Sequence, residues 1–275
     1  MIKDILVSLS TSSDRDAARD YAISVTRAFE AHLTGLAFAY QPVIPGTVFD
    51  GSVVSVIAQY LADNRKAALT AKNKFEAAVK DAGVLGEARV TEAGMADAAA
   101  IFGNTARHFD LSVVGQARPE SEIPEELIIQ SALFGSGRPV LVVPYIQQTG
   151  LKLDRVMVCW DGSRNSARAI ADAMPVLKRA GAIDVVTVEP RERRNELAGL
   201  EIAQHLARHG LKVELKPLVA PDTDVPNTIL SYAADSSTDF IVMGGYGHSR
   251  LREFILGGAT RGMLQSMTVP TLMAH

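Results

Sequence analysis

Short, almost continuously apolar segments alternate along this chain with longer segments in which apolar residues recur every three or four positions. Residues 239–243, Asp-Phe-Ile-Val-Met, show the first pattern, which is typical of a strand covered on both faces of a parallel sheet. Ile170, Ala173 and Leu177 show the second pattern, which predicts a helix. Gly181 follows this helix as a stop signal. Because strand and helix alternate regularly, the pattern predicts an α/β fold with a parallel sheet and crossover helices.

The chain contains two copies of the same unit of alternating strands and helices. In the second copy we expect strands at 156–160, 183–188, 211–218, 239–243 and 269–274, and helices at 164–180, 194–209, 225–236 and 259–267. The first copy repeats this order, carries extra residues around Pro42 to Ser55, and adds a long helix from about Ser55 to Ala82. The prediction is two tandem, open, parallel five-stranded sheets in a Rossmann-like fold, with domains at 1–148 and 149–275.

Composition and charge limit the kinds of molecule that this chain is expected to bind. The 275 residues carry a formal charge of -3, and no basic cluster with interleaved aromatics occurs, which disfavours nucleic acid as a ligand. No apolar run reaches the roughly 18 residues that a membrane helix needs, so we expect no membrane association and a cytoplasmic location. The single cysteine, Cys159, excludes an internal disulfide and the usual cysteine-based zinc site.

The segment after the strand at 239–243 has the chemistry of a phosphate cradle. Gly244 and Gly247 allow a sharp turn and close approach of the backbone to a ligand. Gly257 and Gly258 precede the next predicted helix, whose first amide groups have no partner within the helix and attract anions. The pattern therefore predicts an anion-binding site in the second half.

Together these motifs closely resemble the universal stress protein family in its tandem form. The residues that carry the resemblance are Trp160-Asp161-Gly162-Ser163, the strand ending Met243-Gly244, the Gly-x2-Gly-x9-Gly pattern at Gly244, Gly247 and Gly257, and Val269-Pro270-Thr271 before the last strand. The resemblance implies the open α/β fold of that family and binding of ATP or ADP, with Mg²⁺ arriving on the nucleotide phosphates. It also implies pairing of the last strands, here 140–143 with 271–274, inside one chain and with pseudo-twofold symmetry; further assembly into a homodimer is left open.

The resemblance also assigns candidate contacts to the adenine nucleotide. Asp161 would recognise the adenine or ribose, and Val188 would line the adenine slot through its backbone. The alternatives are that Asp161 only caps the helix opening at Ser163 and that Val188 is plain core. The complete set of candidate binding residues is Asp161, Gly162, Ser163, Val188, Met243, Gly244, Gly247, His248, Gly257, Gly258, Ala259 and Thr260.

One departure from the family pattern weakens the case for ATP and leaves room for ADP, AMP or an empty site. The family usually has Ser or Thr directly after the third spaced glycine, where this chain has Gly258; Thr260 offers a hydroxyl two residues later.

Cationic side chains near the loop, such as His248 and Arg261, either contact phosphates or form a solvated face. In the first copy, Ser10 stands at the position of Asp161 and Gln116 follows Gly115, so we expect that copy not to bind nucleotide in the same way.

The leading hypothesis is a non-enzymatic stress-response protein whose second half binds an adenine nucleotide. The sequence nominates no catalytic base and contains no Gly-x4-Gly-Lys-Ser/Thr phosphate loop. Slow nucleotide hydrolysis at the same site, and an interaction scaffold that binds no nucleotide, are the alternatives.

Overall fold

Ten strands and eight helices lie in the part of the chain that the computed structural model describes, which is residues 1–12, 15–42, 51–118, 125–190, 199–220, 224–245 and 258–275. The strands are β1 (Asp4–Ser8), β2 (His32–Tyr40), β3 (Leu85–Ala93), β4 (Leu111–Gly115), β5 (Val140–Val143), β6 (Arg155–Cys159), β7 (Ala182–Pro190), β8 (Val213–Ala220), β9 (Phe240–Gly244) and β10 (Thr271–Ala274). The helices are α1 (Ala17–Phe29), α2 (Gly51–Ala82), α3 (Met95–Ala106), α4 (Glu125–Gly135), α5 (Arg164–Leu177), α6 (Leu200–Arg208), α7 (Val225–Asp235) and α8 (Gly258–Ser266).

These strands form one sheet in the order β3-β2-β1-β4-β5-β10-β9-β6-β7-β8. Within each half all strand pairs are parallel, and the second half repeats the strand order of the first in reverse. The two five-stranded parallel units are therefore related by a pseudo-twofold axis, and the predicted α/β fold class is confirmed.

The halves join through the antiparallel pair β5 and β10. Leu141 pairs with Leu272, flanked by Val142 with Thr271 and by Val140 with Met273. The expected pairing of the last strands is thus present inside one chain. Because the join is antiparallel, the carboxyl ends of the first half's strands lie at one edge of the sheet and those of the second half lie at the opposite edge.

Alternate residues of the buried strands point to opposite faces of the sheet and form two cores, one on each face. Val7 belongs to the core that includes residues of α1, α2, α5 and α6 on one face, and its neighbour Leu6 belongs to the core that includes residues of α3, α4, α7 and α8 on the other. Both cores continue across the join, since each contains residues of both halves. Near-continuous apolar sequence in β4 and β9 follows from this burial on both faces.

Gln116 connects the two halves through buried hydrogen bonds. This side chain is 4% exposed, and its Nε2 donates to the carbonyl oxygens of Leu264 and Gln265 at 3.0 and 3.1 Å. Both oxygens lie in the last turn of α8, where helix carbonyls have no partner within the helix. The segment between the halves is also fixed, because the amide of Leu151 donates to Ser24 Oγ on α1 at 2.8 Å.

Most predicted boundaries on described residues agree with the structure to within a few residues, and residues 194–198 of the predicted helix 194–209 lie outside the described part. Helix α5 ends at Leu177 instead of 180, shortly after Pro175, which lies inside it. Strand β10 begins at Thr271 instead of 269, after Pro270, which has no N–H to donate. Helix α2 begins at Gly51, before the expected Ser55. Among the described residues no helix combines the length and apolar character needed to cross a membrane.

We predict that Leu272→Ala lowers the free energy of unfolding by about 2–5 kcal/mol, because it opens a cavity at the centre of the join. Leu272 is 1% exposed and faces both halves' strands. Leu85→Ala is the matched control, since Leu85 is 75% exposed on β3, and its effect should stay within about 0.5 kcal/mol. Chemical denaturation measures both variants, and equal effects would contradict a buried join.

Candidate functional site

The candidate site in the second half lies where the order of strands reverses, between β6 and β9. Cys159 and Met243 pair near the ends of these parallel strands, so the residues that follow them emerge at the same edge of the sheet. The chain continues from β6 to β7 on one side and returns to β9 on the other. Open α/β sheets bind ligands at such a switch point.

Asp161 organises the turn between β6 and α5. Its Oδ1 accepts a hydrogen bond from the amide of Ser163 at 2.9 Å, and Gly162 between them has φ of 75°. Ser163 is the N-cap of α5, because its Oγ accepts a hydrogen bond from the amide of Ser166 at 3.1 Å. The side chain of Asp161 is therefore not the N-cap itself, and it remains exposed to a ligand.

The electrostatics of this turn keep Asp161 ionised. Partial loss of water around the carboxylate acts to raise its pKa, but hydrogen bonds from Ser163 and Ser166 outweigh this and lower the pKa below its ordinary value. An ionised carboxylate can only accept hydrogen bonds. Asp161 thus suits a hydroxyl or amino group of a ligand and repels phosphate.

Gly244 ends β9, Gly245 follows it, and both lie in close contact with neighbouring helices. A Cβ atom at Gly244 would lie 2.6 Å from the amide nitrogen of Ser166, in the first turn of α5. A Cβ atom at Gly245 would lie 2.7 Å from Leu133 Cδ2, on α4 of the other half. Sequence reasoning gave Gly244 a role in ligand binding, whereas close contact with α5 already explains the glycine.

Asn165 and His275 hold the same edge together, and sequence reasoning missed both. Asn165 Nδ2 donates to the Gly245 carbonyl oxygen at 2.7 Å and lies 2.8 Å from His275 Nδ1. The His275 ring also packs edge-on against Phe134 of α4, with ring centroids 4.8 Å apart. A signal for Asn165 was present, because it lies four residues before Ala169 on the buried stripe of α5, and a polar residue on such a stripe needs a partner.

Helix α8 begins at Gly258 with open space between its first residue and the rest of the described chain. Gly258 is exposed, and a Cβ atom there would meet no atom of the described residues within 4 Å. Ala259 is half-buried, and Thr260 is only 4% exposed. Helix α8 therefore begins at an exposed glycine, and the first amides of a helix attract anions.

The remaining predicted residues divide into two groups. Val188 is half-buried and packs against the core formed by α3, α4, α7 and α8, and Met243 is 6% exposed in that core. Each can offer a ligand little more than its backbone. Gly247, His248 and Gly257 lie outside the described residues, as do Tyr246, Arg250 and Arg252 of the same connection.

The equivalent edge of the first half has different chemistry. Asp16, which is 8% exposed, is the N-cap of α1, and it also accepts a hydrogen bond from the Ser10 amide at 2.9 Å. Helix α4, the counterpart of α8, carries Glu125 and Glu126 in its first turn. These carboxylates already lie at the positive end of the helix and oppose a second anion there.

The fold defines the class of protein: an open, doubly wound α/β sheet with a candidate anion site at its switch point. Residues 152–275 match the model of the universal stress protein family. The sequence of this C-terminal segment is therefore similar to that of the universal stress protein family.

Individual similar proteins agree with this match. Universal stress protein Slr1230 of Synechocystis sp. is 29% identical over 138 residues, which are 49% of this chain and 46% of that protein. The chain thus spans about half the length of this curated relative. A universal stress protein from Archaeoglobus fulgidus has the same fold, with a TM-score of 0.75, 18% identity, and coverage of 98% of this chain and 95% of that one. A Pseudomonas aeruginosa PAO1 protein of unknown function matches with a TM-score of 0.58 and 16% identity, over 99% of this chain and 92% of that one.

We predict that the stabilising effect of Asp161 depends on pH. Its pKa is lowered in the folded state, so its contribution is present above the unfolded pKa of about 3.9 and is lost as pH falls through the folded value. Asp161→Asn keeps an acceptor for the Ser163 amide but removes the charge. The variant should be less stable than the parent near pH 6, and the two unfolding midpoints should converge below about pH 4; a constant gap down to pH 2 would contradict this assignment.

The two glycines of the edge should respond oppositely to alanine. Gly244→Ala should lower the free energy of unfolding by about 1–3 kcal/mol, because the new methyl group meets the backbone of α5. Gly258→Ala meets nothing within 4 Å and should leave stability unchanged or raise it by up to about 1 kcal/mol, since alanine favours the helix. Thermal unfolding of both variants distinguishes a packing glycine from an open one.

Proposed function

We propose that the second half binds an adenine nucleotide, ATP or ADP, and that the protein acts in the cytoplasm as a stress-response regulator without catalysing a reaction. The observation that carries this proposal is that a negatively charged side chain and a helix start that attracts anions lie at the same edge of the sheet. Asp161 presents an ionised acceptor after β6, and α8 presents an uncovered, glycine-opened start after β9. A molecule with donor groups at one end and negative charge at the other fits this arrangement.

The electrostatics set the direction of the nucleotide. Asp161 accepts hydrogen bonds from a ribose hydroxyl or an adenine amino group, with Gly162 and Ser163 close to it in the turn. The phosphates lie at Gly258 and Ala259, where the amides of α8 and its dipole favour negative charge. Val188 and Met243 contribute through their backbones, and Gly247, His248 and Gly257 belong to the connection before α8. Mg²⁺, when bound, would be held by the phosphates.

The two halves are proposed as separate domains, 1–148 and 149–275, of which only the second takes nucleotide. The first half supports this division through the contrast at its helix start. Glu125 and Glu126 occupy the first turn of α4, whereas the first turn of α8 contains no acidic residue. Gln116 follows β4 with a buried side chain where the second half has Gly245 after β9.

Calorimetric titration with ATP, ADP and AMP tests the proposal. Asp161→Ala should weaken binding by about tenfold or more, because it removes a charged hydrogen-bond acceptor. Asp235→Ala, an exposed aspartate at the end of α7, is the matched control and should bind as the parent does. Absence of binding by the parent chain at millimolar nucleotide would overturn the proposal, and release of phosphate over hours would assign slow hydrolysis to the site instead.

A further inference from the structure

A cleft of about 310 Å³ lies in the first half, between the loop after β1 and one face of α2. Its volume is at the lower end of the range for small-molecule sites, about 300–1,000 Å³. The loop contributes three consecutive hydroxyl residues, and the helix contributes two lysines, a threonine and one aspartate; the lining comprises Ser10, Thr11, Ser12, Asp63, Lys66, Ala67, Thr70, Ala71 and Lys74.

The carboxylate of this turn in the first half is that of Asp16, which is 8% exposed and caps α1, and the loop residues that line the cleft carry hydroxyl groups. Ser10-Thr11-Ser12 aligns with Asp161-Gly162-Ser163 when the two copies are compared from β1 and β6. A carboxylate repels an anion, whereas hydroxyl groups donate hydrogen bonds to it. The substitution therefore changes the ligand groups that this turn favours, from hydrogen-bond donors to negatively charged groups.

The helix wall supplies cations that have no carboxylate partner among the described residues. Lys66, Thr70 and Lys74 are spaced four residues apart, so they follow one another along one face of α2. Lys72, on another face, lies 3.6 Å from Glu76, but no such pair involves Lys66 or Lys74 in the described part of the chain. Asp63 is the carboxylate in this lining, and its Oδ1 accepts a hydrogen bond from Gln59 Nε2 at 3.0 Å.

Among the described residues, which omit 191–198 before α6, this wall occurs in the first half only. Helix α2 has 32 residues, whereas α6, its counterpart, has nine and begins at Leu200 after the N-cap Gly199. Both helices end just before a glycine of positive φ, Gly83 and Gly210. When the helices are aligned at these ends, the turns of α2 that carry Lys66 and Thr70 extend beyond the start of α6.

We propose that this cleft binds a small phosphorylated molecule with two phosphate groups or a diphosphate. Lys66 and Lys74 are eight residues apart, which is about 12 Å along the helix axis, and their flexible side chains can converge on neighbouring phosphates. Ser10, Thr11 and Ser12 form the opposite wall. The first half therefore recognises phosphate mainly through side-chain cations, in contrast to the backbone amides of α8, and this inference does not depend on nucleotide binding in the second half.

Calorimetric titration of the full chain with inorganic pyrophosphate at low ionic strength tests the cleft. Lys66→Gln with Lys74→Gln should weaken binding by about tenfold or more, because charge-assisted hydrogen bonds to phosphate are lost. The matched control is Lys72→Gln with Lys80→Gln, which removes the same charge from α2 outside the cleft and should change affinity by no more than about twofold. Equal losses in both double variants would show a general effect of charge and would overturn the proposal.

Gly258→Val separates this cleft from the candidate nucleotide site. This variant covers the start of α8 and should keep the pyrophosphate binding that depends on Lys66 and Lys74, while losing affinity for ATP. The double lysine variant should show the converse. Pyrophosphate binding that is absent from the parent chain at millimolar concentration, or that disappears only in Gly258→Val, would overturn the cleft and leave the nucleotide site untouched.

Discussion

The antiparallel pairing of β5 with β10 is the interaction on which the rest of this structure depends. A strand at the edge of a sheet exposes a row of unpaired backbone groups, and the last strand of each half would do so if it stood alone. Pairing Leu141 with Leu272 satisfies these groups and merges two five-stranded units into one sheet. It also continues both apolar cores across the join, so each face is buried as one surface.

The same pairing places the two candidate binding edges on opposite sides of the sheet, with helices running between them. Helix α8 begins at Gly258 on the candidate nucleotide edge and ends where Gln116 of the first half binds its last carbonyls. Helix α4 of the first half packs in turn on Gly245 through Leu133. Helix α8 therefore links the candidate nucleotide edge to a residue at the opposite edge of the sheet.

One fold thus carries different chemistries in its two halves. The second half combines the carboxylate of Asp161 with an uncovered helix start at Gly258. The first half has hydroxyl groups at Ser10 to Ser12, acidic residues in the first turn of α4, and lysines on an extended α2. The backbone scaffold fixes where a ligand can bind, and the side chains at the strand ends fix its charge.

The sequence by itself determined the alternation of strand and helix, the repeat, and the residues that follow β6 and β9, because periodicity and turn chemistry are local properties. It predicted β9 from five consecutive residues, and the resemblance to the universal stress protein family implied the pairing of the last strands. Only the tertiary structure decided that Gly244 is a packing residue and that Asn165 binds Gly245, 80 residues away. Such contacts depend on the order of strands in the sheet and on how closely α5 lies against β9, and no local pattern encodes that distance.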